Sequence, residues 1–357
     1  MPAPLGMHQA QIEAILAAWG MPAAHAAQTA EVLAWADLHG IDSHGMSMLT
    51  MYDDWHRRGL VRMDAEPVVE RDSPVSALVD GGGGLGHVPG RFAMGLAIGK
   101  AKKIGMAAVS VRHSAHYGAC GFYARMAAEA GLIGITTTTT SGPRVAPTGG
   151  AEAMLGTDPW CFAAPGADGT PFLLDMATTT VAFGKVRNKA NEKLPCPPGW
   201  VLTADGSDST DPLDVAERGG FLTPLGGTRA GSSHKGYGLG AMVNILSACL
   251  SGTSVTTDPL HTKGPLGMNL GQFYLALDPG LFRDPAEFRA DVAAFCESLR
   301  ATRPADPATP VQVAGDPERA VAARRAESGI PVAPGLLARI RDLADKAGAP
   351  WLLGQAA

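Results

Sequence analysis

The spacing of apolar residues predicts helices at both ends of the chain. Ile15 and Leu16 lie three and four positions after Ile12, which is the period of one helix face. A Gly-Met-Pro break at residues 20–22 divides residues 8–38 into two such helices. Further helices are predicted over three segments, namely residues 51–59, 285–300 and 335–347.

In the middle of the chain, short apolar runs alternate with helical segments. Strands are predicted at residues 76–80, 106–112, 132–139, 172–176 and 272–277, and helices at residues 91–103, 121–130 and 236–250. Elements that alternate in this way form a sheet covered by helices, whereas the terminal helices must bury their apolar faces against each other. We therefore expect an α/β (α+β) protein, with a helical domain of residues 1–75 and 284–357 and a sheet-bearing domain of residues 76–283.

Composition and charge exclude several classes of protein. Hydrophobic residues make up 46% of the 357 positions, and the formal net charge is −5. This composition is too apolar for a disordered chain, and the net charge is too acidic to favour a nucleic-acid or anionic-membrane surface. The 45 glycines and 27 prolines follow no G-X-Y period, so they predict many tight turns rather than a collagen helix.

Cysteine spacing and the absence of targeting signals favour a cytoplasmic protein. The five cysteines contain no CxxC pair, which excludes zinc ribbons and thioredoxin-type redox motifs, and free thiols in a reducing compartment are expected. No signal peptide or bilayer-spanning apolar stretch is evident. His113 and His116 have no acidic partner at metal-ligand spacing, so no metal site is expected.

The glycines at residues 81–86 match the G-x-G-x-x-G pattern of a dinucleotide-binding turn. They follow a predicted strand and precede a predicted helix, as that pattern requires. The next strand, however, ends in Arg112 and His113 instead of the acidic residue that would bind the adenosine ribose. Pro89 also moves the expected start of the helix away from the glycines. These observations favour a structural turn over a Rossmann site.

Four short segments carry residues suited to catalysis or cofactor binding. Ser43 and His44 lie in a predicted turn, and His116 follows a predicted strand; histidine is the usual proton donor or acceptor near neutral pH. Asp175 ends an apolar strand, and Lys235 begins a helix, where backbone amides and an ammonium group suit a phosphate. Each residue also has an ordinary interpretation as a core, capping or surface residue. The four segments together support a functional site more strongly than any one of them does.

These segments, with others in the same order, resemble the malate/L-lactate dehydrogenase family of the non-Rossmann type. That family includes ureidoglycolate and sulfolactate dehydrogenases, 2,3-diketogulonate reductase and piperideine/pyrroline-2-carboxylate reductases. The matching stretches are ADLHGIDSHG at residues 36–45, GLGH at 84–87, SAHYGA at 114–119, APTGG at 146–150, LGTDP at 155–159, LDMAT at 174–178, PGW at 198–200, KGYGL at 235–239 and GD at 315–316.

The resemblance implies an NAD(P)-dependent oxidoreductase that acts on a small-molecule substrate, is usually a homodimer, and has a mostly antiparallel sheet in its cofactor domain. Ser43, His44 and His116 match residues with acid/base roles in the family, and the proton donor stays undecided between the two histidines. Cofactor contacts are implied for His116, Ser141, Asp175, Met176, Ala177, Lys235, Gly236, Gly315 and Asp316, and substrate contacts for Met48, Tyr52 and Arg144. Neither nucleic acid nor membrane is an expected partner.

Met48 departs from the family pattern. Members commonly have arginine four residues after the histidine of the Ser-His-Gly motif, and an arginine can hold a carboxylate with two parallel hydrogen bonds. Its replacement by Met48 predicts poor use of small keto acids and a substrate with an apolar or ring portion. Arg144, Arg187 and Lys189 are the candidate cations that would replace the missing arginine.

Three functions fit these residues. The leading one is a dehydrogenase or reductase of a 2-keto or 2-hydroxy acid, using NAD or NADP. A cyclic-imine reductase needs the same hydride and the same proton, so it stays open as the alternative. A catalytically inactive cofactor-binding protein is disfavoured because Ser43, His44, His116, Asp175 and Lys235 are all present.

Overall fold

The computed structural model describes residues 2–257 and 267–354. Its helices are α1 (Leu5–Ala18), α2 (Ala23–Leu38), α3 (Leu49–Arg57), α4 (His87–Ile104), α5 (Gly121–Glu129), α6 (Phe183–Glu192), α7 (Pro212–Ala216), α8 (His234–Asn244), α9 (Pro285–Arg300), α10 (Asp316–Ser328) and α11 (Pro334–Ala347). Its strands are β1 (Pro2–Ala3), β2 (Val68–Asp72), β3 (Ser76–Asp80), β4 (Met106–Ser114), β5 (Ile133–Thr138), β6 (Trp160–Ala164), β7 (Phe172–Met176), β8 (Val201–Leu202), β9 (Asp208–Ser209), β10 (Phe221–Leu222), β11 (Leu270–Leu277) and β12 (Ile330–Pro331).

Seven strands form the central sheet in the order β2-β3-β4-β11-β5-β6-β7. Neighbouring strands are antiparallel throughout, except that β3 and β4 run parallel. The crossover between these two strands is made by α4, as a parallel connection requires. A mostly antiparallel sheet with helices is the architecture that the family resemblance implies, and the structure confirms it.

The register of the sheet brings three loops to the same edge. Ser114 at the end of β4 and Thr138 at the end of β5 both lie beside the first residues of β11. Met176 at the end of β7 pairs with Trp160 in β6, and Trp160 pairs in turn with Thr137. The loops that follow β4, β5 and β7 therefore leave the sheet side by side, and the candidate site lies there.

Helices cover both faces of the central sheet. On one face, α4 and α5 pack over a core that includes Val109, Val111 and Tyr274. On the other face lies a π-helical turn, Ile245–Cys249, that extends α8 and in which Ser247 Oγ is hydrogen-bonded to Thr137 Oγ1 at 2.7 Å. Successive side chains of a strand point to opposite faces of the sheet, so each strand contributes side chains to the packing on both faces.

The two ends of the chain share one hydrophobic core. Ile12 and Leu33 of α1 and α2 pack in the same cluster as Ile340 and Leu343 of α11, and β1 pairs with β12. The strand β2 belongs to the central sheet although it precedes residue 76. The domain boundaries at 75/76 and 283/284 stay a prediction.

Several elements differ from the sequence expectation. The helix expected from residue 91 begins at His87, because Pro89 falls in the first turn, where its missing N–H would have no helical partner. Among the unpredicted elements, the longer ones are β2, β6, α6 and α10, and the others are α7 and the two-residue strands β1, β8, β9, β10 and β12. Of these, α10 buries none of its residues and β2 is exposed along its length, so neither carries an apolar pattern. Across the described ranges, no helix is long and apolar enough to cross a membrane.

Candidate active site

His44, Tyr52 and His116 form a cluster beyond the end of β4, where the N-terminal helices meet the sheet. Tyr52 Oη lies 2.6 Å from His116 Nδ1. The rings of His44 and His116 are stacked with their centroids 5.4 Å apart, and Ser43 Oγ lies 2.8 Å from His44 Nδ1. Four candidate residues from three segments, Ser43–His44, Tyr52 and His116, therefore converge on one place.

A buried carboxylate fixes the turn that carries His44. Asp37, at the end of α2, accepts a hydrogen bond from the Met46 backbone N–H at 2.7 Å and pairs with His8 Nε2 at 2.6 Å. Gly45 lies so close to this carboxylate that a Cβ would come within 1.9 Å of an oxygen. Only glycine fits there, so packing against Asp37 requires the glycine of the Ser-His-Gly sequence.

Backbone and buried amide contacts hold the loop that carries His116. The Gly86 N–H donates to the His116 carbonyl at 2.9 Å, and a Cβ on Gly86 would come within 2.3 Å of the Ala115 carbonyl oxygen. Gln272, fully buried in β11, donates to the same Ala115 carbonyl at 3.3 Å and accepts a hydrogen bond from Tyr274 Oη at 2.8 Å. The glycine turn therefore supports the histidine loop, in agreement with its interpretation as a structural turn.

Burial sets the protonation states of the cluster. It lowers the pKa of His116 well below 6.5, with a further lowering by His44 and His87, and it lowers the pKa of His44. Burial also raises the pKa of Tyr52 well above 10. At neutral pH both histidines are therefore uncharged and the tyrosine is protonated, because low polarity disfavours the charged form of each group.

Asp175 connects the end of β7 to the start of α5. Its Oδ2 accepts a hydrogen bond from the Gly121 backbone N–H at 2.5 Å, five residues beyond His116 along the chain. The Asp175 side chain is accessible to solvent on one side, but the surrounding protein raises the pKa of its carboxyl to about 6, against the lowering effect of the Gly121 N–H. The structure thus places an accessible carboxylate next to the histidine loop.

Gly315 and Asp316 have different surroundings. Gly315 adopts φ +94° and lies against Leu173 of β7, since a Cβ there would come within 3.4 Å of the Leu173 Cβ. Asp316 is bound by Arg300 at 2.8 and 2.9 Å and by Arg319, and these bonds hold the pKa of its carboxyl well below its usual range. The backbone at Gly315 thus borders the strand of Asp175, whereas the Asp316 side chain joins α9 to α10.

Lys235 and Gly236 lie in the first turn of α8, next to the segment that follows Met176 and Ala177. The Leu225 N–H donates to the Thr178 carbonyl at 2.9 Å, and Gly236 packs so closely on Leu225 that a Cβ would come within 2.3 Å of its backbone. Lys235 is exposed, and no carboxylate within residues 2–257 and 267–354 forms an ion pair with it.

Ser141, Met48 and Arg144 lie in three different settings. Ser141 is exposed just beyond the end of β5, at the edge where the histidine loop emerges. Met48 lies one helical turn before Tyr52 and packs partly into the core of the terminal helices. Arg144 stacks on the Phe183 ring at 4.6 Å, and none of the hydrogen bonds of the described residues joins it to the histidine cluster.

Sequence reasoning missed several residues that build the site. His87 contacts Tyr52 from inside the protein, Gln272 bonds the histidine loop at Ala115, and Asp37 supports the His44 turn. Asp158 belongs to a separate buried network: it accepts hydrogen bonds from Gly156 N–H at 3.0 Å and Asn244 Nδ2 at 2.8 Å, and burial raises the pKa of its carboxyl to about 7. A polar residue within an apolar run can indicate a buried polar side chain, but the sequence does not show which distant residues bind it.

Comparison with known proteins agrees with this geometry. The sequence profile described as malate/L-lactate dehydrogenase matches residues 7–341. Malate dehydrogenase of Pyrococcus horikoshii is 38% identical over 339 residues, covering 95% of this chain and 93% of the relative, and its solved structure superposes with a TM-score of 0.89 at 37% identity over 98% of this chain and 96% of that one.

Two further proteins extend the comparison to other substrates. A ureidoglycolate dehydrogenase (NAD(+)) of Escherichia coli O157:H7 is 36% identical over 305 residues, covering 84% of this chain and 83% of the relative. The structure of delta1-piperideine-2-carboxylate reductase from Pseudomonas syringae pvar. tomato superposes with a TM-score of 0.84 at 28% identity, covering 96% of this chain and 100% of that one. The family profile and these identities agree, and the chain belongs to the malate/L-lactate dehydrogenase family of oxidoreductases.

Proposed function

We propose that the protein transfers a hydride between the nicotinamide of NAD or NADP and C2 of a 2-keto or 2-hydroxy acid. The observation that supports this most is the stacked pair of His44 and His116, with Tyr52 at 2.6 Å from His116. Two histidines with lowered pKa values suit proton transfer, and the accessible carboxylate of Asp175, at the start of α5 beyond the histidine loop, suits a bound nucleotide. A homodimer remains part of this proposal.

The donor set at the edge of the sheet fits a nicotinamide nucleotide. Asp175 offers a carboxylate for hydroxyl groups, and Lys235 offers an ammonium group beside the backbone amides of a helix N-terminus, which suit phosphate. Gly236 is required here by packing, because a Cβ would come within 2.3 Å of the Leu225 backbone. Ser141, Met176 and Ala177 lie at the same edge, and the backbone at Gly315 lies beside Leu173 of β7. Of Asp316, the backbone is the part proposed to contact the cofactor, because its carboxylate is held by arginines.

The chain's own residues supply the proton and the orientation. The bound nicotinamide supplies the hydride, which is the redox chemistry that no side chain provides. As charge builds on the substrate oxygen during reduction, a histidine of the cluster in its protonated form donates a proton to it and becomes neutral, and in oxidation a neutral ring accepts one. Ser43 orients His44 through the 2.8 Å contact with Nδ1. Both histidines stay candidates for the proton donor.

A cyclic-imine reductase is the second candidate, favoured by one observation. Met48 places an apolar, flexible side chain one turn from Tyr52, where it can contact a ring, and a thioether cannot pair with a carboxylate. The structural similarity to delta1-piperideine-2-carboxylate reductase is in line with that alternative. Arg144 would have to leave its stacked position on Phe183 to reach a substrate carboxylate.

One experiment distinguishes the candidates. The purified protein is mixed with NADH or NADPH and a panel of 2-keto acids and cyclic imines, and the absorbance of the reduced cofactor is followed. Preferred turnover of a keto acid supports the main proposal, and preferred turnover of an imine supports the alternative. Tight cofactor binding without any turnover would instead identify a cofactor-binding protein that is not a catalyst.

A further inference from the structure

His87 is a fully buried histidine behind the catalytic cluster. It is the first residue of α4, and its ring meets that of Tyr52 edge-on, with centroids 5.6 Å apart. Its Nε2 lies 3.4 Å from Tyr52 Oη. Its Nδ1 is buried and has no hydrogen-bond partner among the described residues. The Tyr52 hydroxyl therefore lies between two imidazole rings, those of His87 and His116.

The direction of hydrogen bonding is determined first at His116. The Gly118 backbone N–H points at His116 Nδ1 from 3.3 Å. A backbone N–H can only donate, so Nδ1 presents its lone pair and the single proton of the neutral ring is on Nε2. The Tyr52 hydroxyl has one proton to give, and its 2.6 Å contact then donates that proton to the same Nδ1.

The contact between His87 and Tyr52 indicates the same direction of hydrogen bonding, from His87 to Tyr52. Because burial lowers the pKa of His87 to about 3, its ring also carries one proton at neutral pH. A buried N–H without an acceptor is rarer in proteins than an unpaired acceptor, and it carries the full desolvation penalty. The proton is therefore on Nε2, where it points at Tyr52 Oη, and Nδ1 keeps only an unpaired lone pair.

We propose that His87 is a positioning residue which, through Tyr52, holds His116 in the tautomer with its proton on Nε2. Within the described residues, only Nδ1 of His116 is hydrogen-bonded, so Nε2–H is left to meet the substrate. An uncharged His116 in this state offers a hydrogen-bond donor to a carbonyl oxygen or an imine nitrogen. This inference rests on the proposed function, in which His116 contacts the substrate.

The tautomer itself can be measured without turnover. Nitrogen NMR of the ¹⁵N-histidine-labelled protein at neutral pH distinguishes a protonated ring nitrogen from one with a lone pair. The His116 signals are assigned by their loss in His116→Gln. We expect His116 Nε2 to be protonated and His116 Nδ1 to be unprotonated in the wild type. A proton on Nδ1, or a charged His116 ring, would overturn the inference.

Two substitutions at His87 separate positioning from packing. In His87→Gln the amide N–H can still donate to Tyr52, whereas His87→Leu fills the space with no donor. We expect His87→Gln to keep kcat within about threefold and His87→Leu to lower kcat by about tenfold or more, with the KM for the cofactor unchanged in both. Without the His87 N–H, the Tyr52 hydroxyl can also accept from His116 Nδ1, opposed only by the 3.3 Å Gly118 contact, so His87→Leu should give a mixture of His116 tautomers, whereas His87→Gln should not.

The same two variants can also contradict the positioning role of His87. Equal losses of kcat in both, with the His116 tautomer unchanged, would mean that His87 only fills space. If His87→Leu does not fold, the wild-type tautomer still decides the question.

The outcome is distinguishable from failure of the proposed function. If the wild type reduces no keto acid or imine but carries the Nε2 proton on His116, and His87→Leu changes that tautomer, the positioning role holds and the proposed function is wrong. If the wild type turns over substrate normally with the proton on Nδ1, only the positioning role is wrong.

Discussion

Asp175 Oδ2 accepts a hydrogen bond from the backbone N–H of Gly121 at 2.5 Å, and this bond joins the end of the edge strand β7 to the start of α5. The same α5 begins five residues after His116. A carboxylate at a helix N-terminus interacts favourably with the helix dipole, so one contact both orients the proposed cofactor-binding side chain and fixes the far end of the histidine loop.

The first prediction concerns Asp175. Asp175→Asn preserves an acceptor for the Gly121 N–H and removes the charge, and we expect it to raise the KM for NAD(P)H by about tenfold, the loss of roughly 1.4 kcal/mol of binding. Because the pKa of this carboxyl is about 6, the wild-type KM should also rise as pH falls below 6. Steady-state kinetics from pH 5 to 8 measure both effects. Asp168→Asn, at an exposed turn, is the control, and equal KM values in the two variants would contradict the assignment.

The second prediction concerns the histidines. His44→Ala and His116→Ala should each lower kcat by about 10²-fold or more, with a smaller change in cofactor binding. Since burial lowers the pKa of both residues, the histidine limb of the kcat–pH profile should lie below pH 6.5. His56→Ala, at a ring that stacks on Trp19, is the control. Near-normal turnover in both active-site variants would rule out the proposed mechanism.

The third prediction concerns Lys235. Lys235→Ala should raise the KM for the cofactor with little change in kcat, because an exposed ammonium at a helix start acts on a bound phosphate and not on the reacting carbon. Rising salt should weaken cofactor binding in the wild type more than in the variant. Lys102→Ala, in the last turn of α4, is the control, because it also removes one exposed positive charge. An unchanged KM in Lys235→Ala would remove this residue from the site.

The fourth prediction concerns stability and the buried Asp158. Its folded-state pKa of about 7 lies above the unfolded value of 3.8, so the native protein holds this proton more tightly. That contribution to stability is fully present below the unfolded pKa, and it is lost as pH rises towards 7. The cost at pH 8 is on the order of 4 kcal/mol, since the shift is about three pKa units at about 1.4 kcal/mol each.

Asp158→Asn removes that titration and keeps an acceptor for Asn244. Thermal unfolding between pH 4 and 8 should therefore show a wild-type Tm that falls with pH relative to that of the variant, and a variant that is the more stable of the two at pH 8. Parallel Tm–pH curves for the two proteins would show that the buried carboxyl does not titrate in this range.

The fifth prediction concerns Met48. Met48→Arg should raise kcat/KM for small keto acids such as pyruvate relative to cyclic or bulky substrates, by about 1.5–3 kcal/mol, the range for a hydrogen bond to a charged group. Met51→Arg, on the adjoining turn and also against the terminal core, controls for an added charge. The idea fails if the wild type already prefers pyruvate or oxaloacetate, or if the substitution leaves the preference unchanged.

The sequence by itself determined the elements whose signals are local. The strands predicted at residues 76–80 and 172–176 and the helix at 285–300 have the same bounds in the structure. At the start of that helix, Asp284 accepts hydrogen bonds from the backbone N–H groups of Ala286 and Glu287, and Pro285 occupies the first helical position. Both features mark the start of a helix through residues adjacent in the sequence, so no tertiary contact is needed to recognise them. Elements without such a pattern, such as α10, were invisible because they bury almost nothing.

The sequence also singled out Ser43, His44 and His116 as candidate catalytic residues, but the tertiary structure decided how the cluster is arranged. Tyr52 meets His116 because α3 and the loop after β4 pack together, and His87 reaches the same hydroxyl from the start of α4. No spacing along the chain encodes these distances, since they depend on the register of β4 with β11 and on the packing of the helices against the sheet. The protonation states follow from the same packing, because burial lowers the pKa of His116 only once the fold has closed around it.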